Sequence, residues 1–152
     1  MEGVVGVLKG VRGRTADTVY DLFFTDKRMI AAILIHPSDF NDIYRKTDLT
    51  TFLIGGFPKE IAFKTRSLNL IQSRRSTFAN KTVDEILALP RSDLEIDYEN
   101  IIYVTVKKGI LRKSLEFAVK NPLGKKVSFS LEESQIAEAE ELLKKVLPGK
   151  AK

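Results

Sequence analysis

The last third of the chain constrains the fold most, because three short alternating runs lead there into one amphipathic helix. After Tyr98, Ile102-Val104-Val106, Leu115-Phe117-Val119 and Val127-Phe129-Leu131 place apolar residues at every second position. A period of two puts them on one face of an extended chain, so each run predicts a half-buried strand. Between the runs, Lys108-Gly109 and Asn121-Pro122-Leu123-Gly124 supply the positive or preset φ of tight reversals, and an antiparallel meander follows. From Glu132 the period becomes helical. Ile136, Ala139, Leu143, Val146 and Leu147 recur at steps of three and four, which gathers them on one stripe of a closing helix.

The same alternation opens the chain. Val5-Val7 leads to a Gly- and Arg-rich reversal, Tyr20-Leu22-Phe24 follows, and after the turn Thr25-Asp26-Lys27 comes the β-rich run Met29 to Ile35. Leu94 to Asp97 alternates again, so about seven strands are expected, three before residue 37 and four after residue 92. Between Pro37 and Pro90 alternation gives way to helical signals. The chain therefore reads as one domain over 1–152, mainly β with α, carrying a helical insertion at 37–92 between the third and fourth strands.

Within the insertion, Pro37-Ser38-Asp39-Phe40 resembles a short helix start and Gly55-Gly56-Phe57-Pro58 a hinge. A helix is expected from about Lys59 to Ala79. At 100° per residue Ile61, Leu68, Ile71 and Phe78 share one of its faces and Lys59, Arg66 and Arg74 the opposite one, with Phe63 and Leu70 among the basic residues. A last helix begins at Thr82, whose hydroxyl and Glu85 three residues on form the pattern of a capping box, and it stops before Pro90. The apolar stretch Leu49 to Phe57 is too short to dip into a bilayer and reads as core packing.

With 152 residues, 43% of them hydrophobic, the chain has enough apolar surface for a core. Its net charge of +5 permits anionic partners without requiring them. Having no cysteine, it forms no disulfide and no thiolate metal site, so the cytoplasm is the expected location, at most peripheral at a membrane. Gly6 and Lys9 interrupt the apolar residues near the N-terminus, so no secretory pattern is read there, and no apolar run reaches the roughly 18 residues of a spanning helix.

Two segments carry a family resemblance. Tyr20 to Ile30 (YDLFFTDKRMI) resembles the strand, Thr-Asp turn, Arg and apolar pair of GRAM and bacterial PH-like domains, and Leu94 to Ile101 (LEIDYENI) is similar to a later strand of the same families. Together with the meander and final helix, the resemblance implies a pleckstrin-homology-like barrel: seven antiparallel strands closed by a C-terminal helix. It implies a non-enzymatic module that binds anionic lipid headgroups or a protein partner, with no cofactor.

Two candidate sites follow. In lipid-binding relatives the reversal between the first two strands cradles phosphates, which points to Lys9, Arg12 and Arg14 with the intervening glycines, although Tyr20-Asp21-Leu22 stands where a basic pair is expected on the second strand. The insertion helix offers Lys59, Phe63, Arg66, Leu70, Arg74 and Arg75 as a face for an anionic bilayer or for a protein, or else as a face packed within the fold. Nucleic acid ranks below both, since no aromatic stacking platform is visible. Catalysis ranks last: the single histidine, His36, is the only basis for a His-dependent triad, and Asp39, Asp42 and Asp48 lack the spacing of a cation-binding loop.

Overall fold

The computed structural model describes residues 2–13, 18–54, 59–120 and 126–151, the side chains of 47–54 and 59–62 excepted. Strands β1 (Val4–Arg12), β2 (Val19–Thr25) and β3 (Arg28–Ile35) come first. Helices α1 (Pro37–Ile54), α2 (Lys59–Ser76) and α3 (Val83–Ala88) follow, then β4 (Ser92–Asp97), β5 (Ile101–Lys108), β6 (Lys113–Val119), β7 (Lys126–Ser130) and α4 (Glu133–Val146). The helical segment thus lies between the third and fourth strands. Its first helix is not a short start but 18 residues long, while the second ends at Ser76, three residues before the expected Ala79. The Gly55-Gly56 hinge and the Asn121 to Gly124 reversal lie outside the described residues.

All seven strands join one antiparallel sheet in the order β4-β3-β2-β1-β7-β6-β5. The sheet is not closed, which corrects the expected barrel. Its end strands β4 and β5 are linked by a 3-10 turn, Tyr98–Asn100, instead of a ladder. The outer edge of β5 is taken instead by the C-terminal segment, where Val104 N–H donates to Lys150 O at 2.9 Å and Val104 bridges Ala151 in parallel. In the middle, β1 and β7 meet at one residue pair, Arg12 with Ser130. The halves are held together mainly by what packs between them.

That packing is the main core. Leu8, Leu22, Phe24, Met29, Ile101, Val104, Leu115 and Phe117 are all fully buried, and α4 lays Ala139, Leu142 and Leu143 over them. Phe117, Val119, Phe129 and Leu143 are buried together as the alternation predicts, with Val127 and Val146 half-buried against them. One expected inward residue turns out. Pairing shifts between Ile101 and Tyr103, and this bulge buries Ile101 while leaving Ile102 56% exposed.

The other face of β2 and β3 is buried too. Phe23, Ile30, Ala32 and Leu34 form a second core with Phe78, Val83 and Ile86, against which Val7 and Ile71 pack. A strand covered on both faces needs a continuous apolar run, which Met29 to Ile35 provides. Thr82 fixes α3 on this layer as the capping box requires: its Oγ1 accepts the Glu85 N–H at 3.2 Å, and Glu85 Oε1 accepts the Thr82 N–H at 3.3 Å. Among the described residues no helix is long and apolar enough to cross a membrane.

Candidate functional site

The expected basic reversal is largely strand. Lys9 and Arg12 belong to β1, and the reversal starts only at Gly13, whose N–H donates to Thr18 O at 2.9 Å; Arg14 lies outside the described residues. Pairing between β1 and β2 jumps from Leu8–Leu22 to Val11–Tyr20, a bulge that sets Lys9 and Gly10 opposite Asp21. Gly10 takes φ +70, the left-handed region that glycine enters without strain, and its N–H donates to Asp21 Oδ1 at 2.9 Å. The bulge lets Leu8 and Val11 both enter the main core. Lys9 stands on the other face, beside α2, and Arg12 is exposed at the end of the strand.

The basic face expected on α2 does not face solvent as a unit. Arg74 Nη1 and Nη2 pair with Asp39 Oδ2 and Oδ1 at 2.6 and 3.0 Å, and Nη1 also donates to Leu34 O at 2.7 Å. Arg75 donates from Nε and Nη2 to both oxygens of Asp21. Phe63 stacks on Tyr44 and Phe40 of α1, with ring centroids 4.4 and 5.8 Å away, and Leu70 is half-buried. Arg66 is half-exposed, and the Lys59 side chain lies outside the described atoms. Leu68, on the face shared with Ile61, Ile71 and Phe78, is 48% exposed. Ile71 and Phe78 of the expected apolar face do pack on the second core, but Arg74 and Arg75 are also held inside the fold by half-buried and buried acids, which residue polarity alone does not reveal.

His36 and Asp39 have structural work at the start of α1. His36 Nδ1 accepts the Ser38 N–H at 3.2 Å, and Asp39 Oδ2 accepts the His36 N–H at 2.8 Å. The Arg74 guanidinium, with that N–H, holds the Asp39 carboxyl below the usual aspartate range. No three His, Cys, Asp or Glu side chains among the described residues converge as metal ligands do.

A feature not singled out in the sequence is the β5–β6 hairpin. Its tip carries Ile110 and Leu111, 97% and 96% exposed, between Lys107-Lys108 and Arg112-Lys113. Gly109 makes the reversal possible, since a Cβ there would stand 2.7 Å from Arg112 O. Lys107 pairs with Glu116 at 3.1 Å and Lys108 with Glu140 at 2.5 Å, so the root of the hairpin is tied to β6 and α4. Lys107, and then Lys126, hold the Glu116 carboxyl below its ordinary range.

This hairpin and the β1–β2 reversal leave the sheet at the same end. Lys107 pairs with Ser114, Ser114 with Ser130 and Ser130 with Arg12, one row across four strands. At the usual spacing Arg12 and Lys107 are about 14 Å apart. The fold therefore gathers Arg12, Lys107, Lys108, Arg112 and Lys113 at one end, around two aliphatic side chains that are almost fully exposed.

No protein-family model, curated protein or solved structure matches the chain.

Proposed function

We propose that the protein is a non-enzymatic binding module that associates peripherally with anionic membrane lipids through the β5–β6 hairpin. The observation that carries this reading is the pair Ile110 and Leu111, almost fully exposed and flanked on both sides by cations. Two neighbouring aliphatics in water are costly to leave uncovered, and burying one is worth about 1.5–3 kcal/mol. Each Lys or Arg near an anionic surface adds about 1 kcal/mol. A tip of this size supports reversible attachment rather than permanent anchoring.

The resemblance to GRAM and bacterial PH-like domains supports the same class of function. It also supports a protein-interaction scaffold built on α1 and α2. Phe63, Arg74 and Arg75 are engaged within the fold, whereas Ile110 and Leu111 are almost fully exposed, and this favours the hairpin over the helices.

Vesicle co-sedimentation tests the reading. Binding should require phosphatidylglycerol over phosphatidylcholine, weaken as salt rises because the Debye length falls from about 10 Å at 0.1 M to 3 Å at 1 M, and vanish in the double variant Ile110→Asp, Leu111→Asp. Equal binding to neutral and anionic vesicles, or a double variant that binds like the parent, would overturn it.

A further inference from the structure

A cavity of about 270 Å³ opens beside β1, on the sheet face opposite the main core. Val4 and Val7 form its accessible apolar lining over the buried Phe23, Phe78 and Ile86, while Lys9 and Lys81 add two cations. The sequence had assigned Lys9 and Arg75 to separate candidate sites; the fold brings both to this one cavity. Asp21 and Arg75 also line it, but they are committed to each other through two hydrogen bonds, and the third bond to Asp21 comes from Gly10 N–H. The acid in the wall is thereby neutralised. Lys81 approaches Glu85 only at 3.9 Å, on the surface, where such a pair is worth little. The lining therefore offers a guest both cationic and hydrocarbon surface.

Turn geometry keeps the mouth in place. Asn80, on the lining, has φ +58, a left-handed conformation that asparagine tolerates better than most residues. It follows Phe78, whose ring meets Phe23 at 5.6 Å between centroids and so ties the turn to β2.

From this we infer that the cavity binds one amphipathic monoanion, its carboxylate or phosphate head at Lys9 and Lys81 and its apolar end over Val4 and Val7, apolar lining residues that keep exposed surface there. At the roughly 30 Å³ that a water occupies in the liquid, the space suits on the order of ten heavy atoms. A medium-chain carboxylate has that size, and so does the head-proximal part of an anionic lipid. The site is independent of the hairpin.

Calorimetric titration of the full chain with sodium octanoate, beside 1-octanol as the uncharged control, tests this. Octanoate should saturate a single site and 1-octanol should bind more weakly. Lys9→Gln should weaken octanoate about tenfold, the effect of losing a hydrogen bond to a charged group. Ala79→Trp, at an exposed residue of the mouth, should block the cavity with the fold intact by circular dichroism. Monomeric dihexanoylphosphatidylglycerol, titrated as separate molecules and not as vesicles, identifies the source: if it binds and Ala79→Trp abolishes that binding the guest is a lipid, and if only octanoate binds the guest is a free carboxylate. Octanoate binding that does not saturate, or that survives both substitutions unchanged, overturns the inference. The variant Ile110→Asp, Leu111→Asp should bind octanoate like the parent; if it does not, the anion sits at the hairpin and the cavity assignment is wrong.

Discussion

Arg75 on α2 closes its guanidinium over both carboxylate oxygens of Asp21 on β2, at 2.7 and 2.9 Å. The Asp21 side chain is 1% exposed and that of Arg75 31%. Taking Arg75 away leaves a buried charge with one backbone donor. Arg75→Met should therefore lower the unfolding free energy by about 2–3 kcal/mol, less than the 3–5 of a fully buried pair because the arginine is partly solvated. Urea denaturation gives the number, and an unchanged midpoint would mean that the pair does not hold α2 to the sheet.

The Arg74–Asp39 pair makes the attachment of α1 sensitive to acid. Arg74, and then the His36 N–H, depress the Asp39 pKa, so the unfolded chain takes up the proton first as pH falls. Its stabilising contribution is complete above the ordinary aspartate value of about 3.9 and is lost as pH drops through the lower folded value. In Asp39→Asn the acid limb of a stability–pH profile should flatten while the parent falls more steeply. Identical profiles in this range would count against the pair.

Phe129 is 4% exposed, with Tyr20 edge-on at 5.5 Å and Phe117 at 6.4 Å between centroids. It sits on β7 where the two halves of the sheet share a core. Phe129→Ala should cost about 3–5 kcal/mol. Thermal unfolding that starts at the same temperature as in the parent would refute this.

Two glycines of β1 should respond for different reasons. At Gly10 a Cβ meets nothing within 4 Å, so Gly10→Ala is limited to left-handed backbone strain of about 1–2 kcal/mol. At Gly6 a Cβ would stand 2.3 Å from Leu142 Cδ2. That leucine must move, and Gly6→Ala should cost about 1–3 kcal/mol and displace the α4 methyl resonances, which the Gly10 variant should leave alone. Equal perturbation of Leu142 in both would defeat the distinction.

Ile110→Ser with Leu111→Ser should leave stability within about 0.5 kcal/mol, because neither side chain is buried on folding. Chemical denaturation of this variant, set beside its vesicle binding, separates a binding role from a folding one. A large loss of stability would mean that the tip is packed after all.

Most strands were legible through period-two alternation, β3 through its continuous β-rich run Met29 to Ile35, and α3 because Thr82 and Glu85 announce its start. Faces were harder. Ile102 reads as inward until the bulge beside it inserts one residue, and no pattern in Ile101-Ile102-Tyr103 marks where that happens. On α2 the inward side includes Phe63, Leu70 and Arg74, and the arginine points in only because Asp39, 35 residues earlier, lies opposite. The hairpin tip was readable. Ile110 and Leu111 follow Lys108-Gly109, so a turn there already placed two aliphatics outside any strand.

An open sheet offers two edges on which another chain can add a strand, and β5 is one of them. Lys150 and Ala151 occupy part of that edge, with Lys150 Nζ anchored on Tyr98 O at 2.6 Å. A proteolytic cut before Lys150 would uncover the Val104 N–H and lengthen the free edge of β5. The shortened chain would keep its core yet acquire a tendency to stack edge to edge, so a few clipped residues would decide whether a concentrated sample stays clear or precipitates.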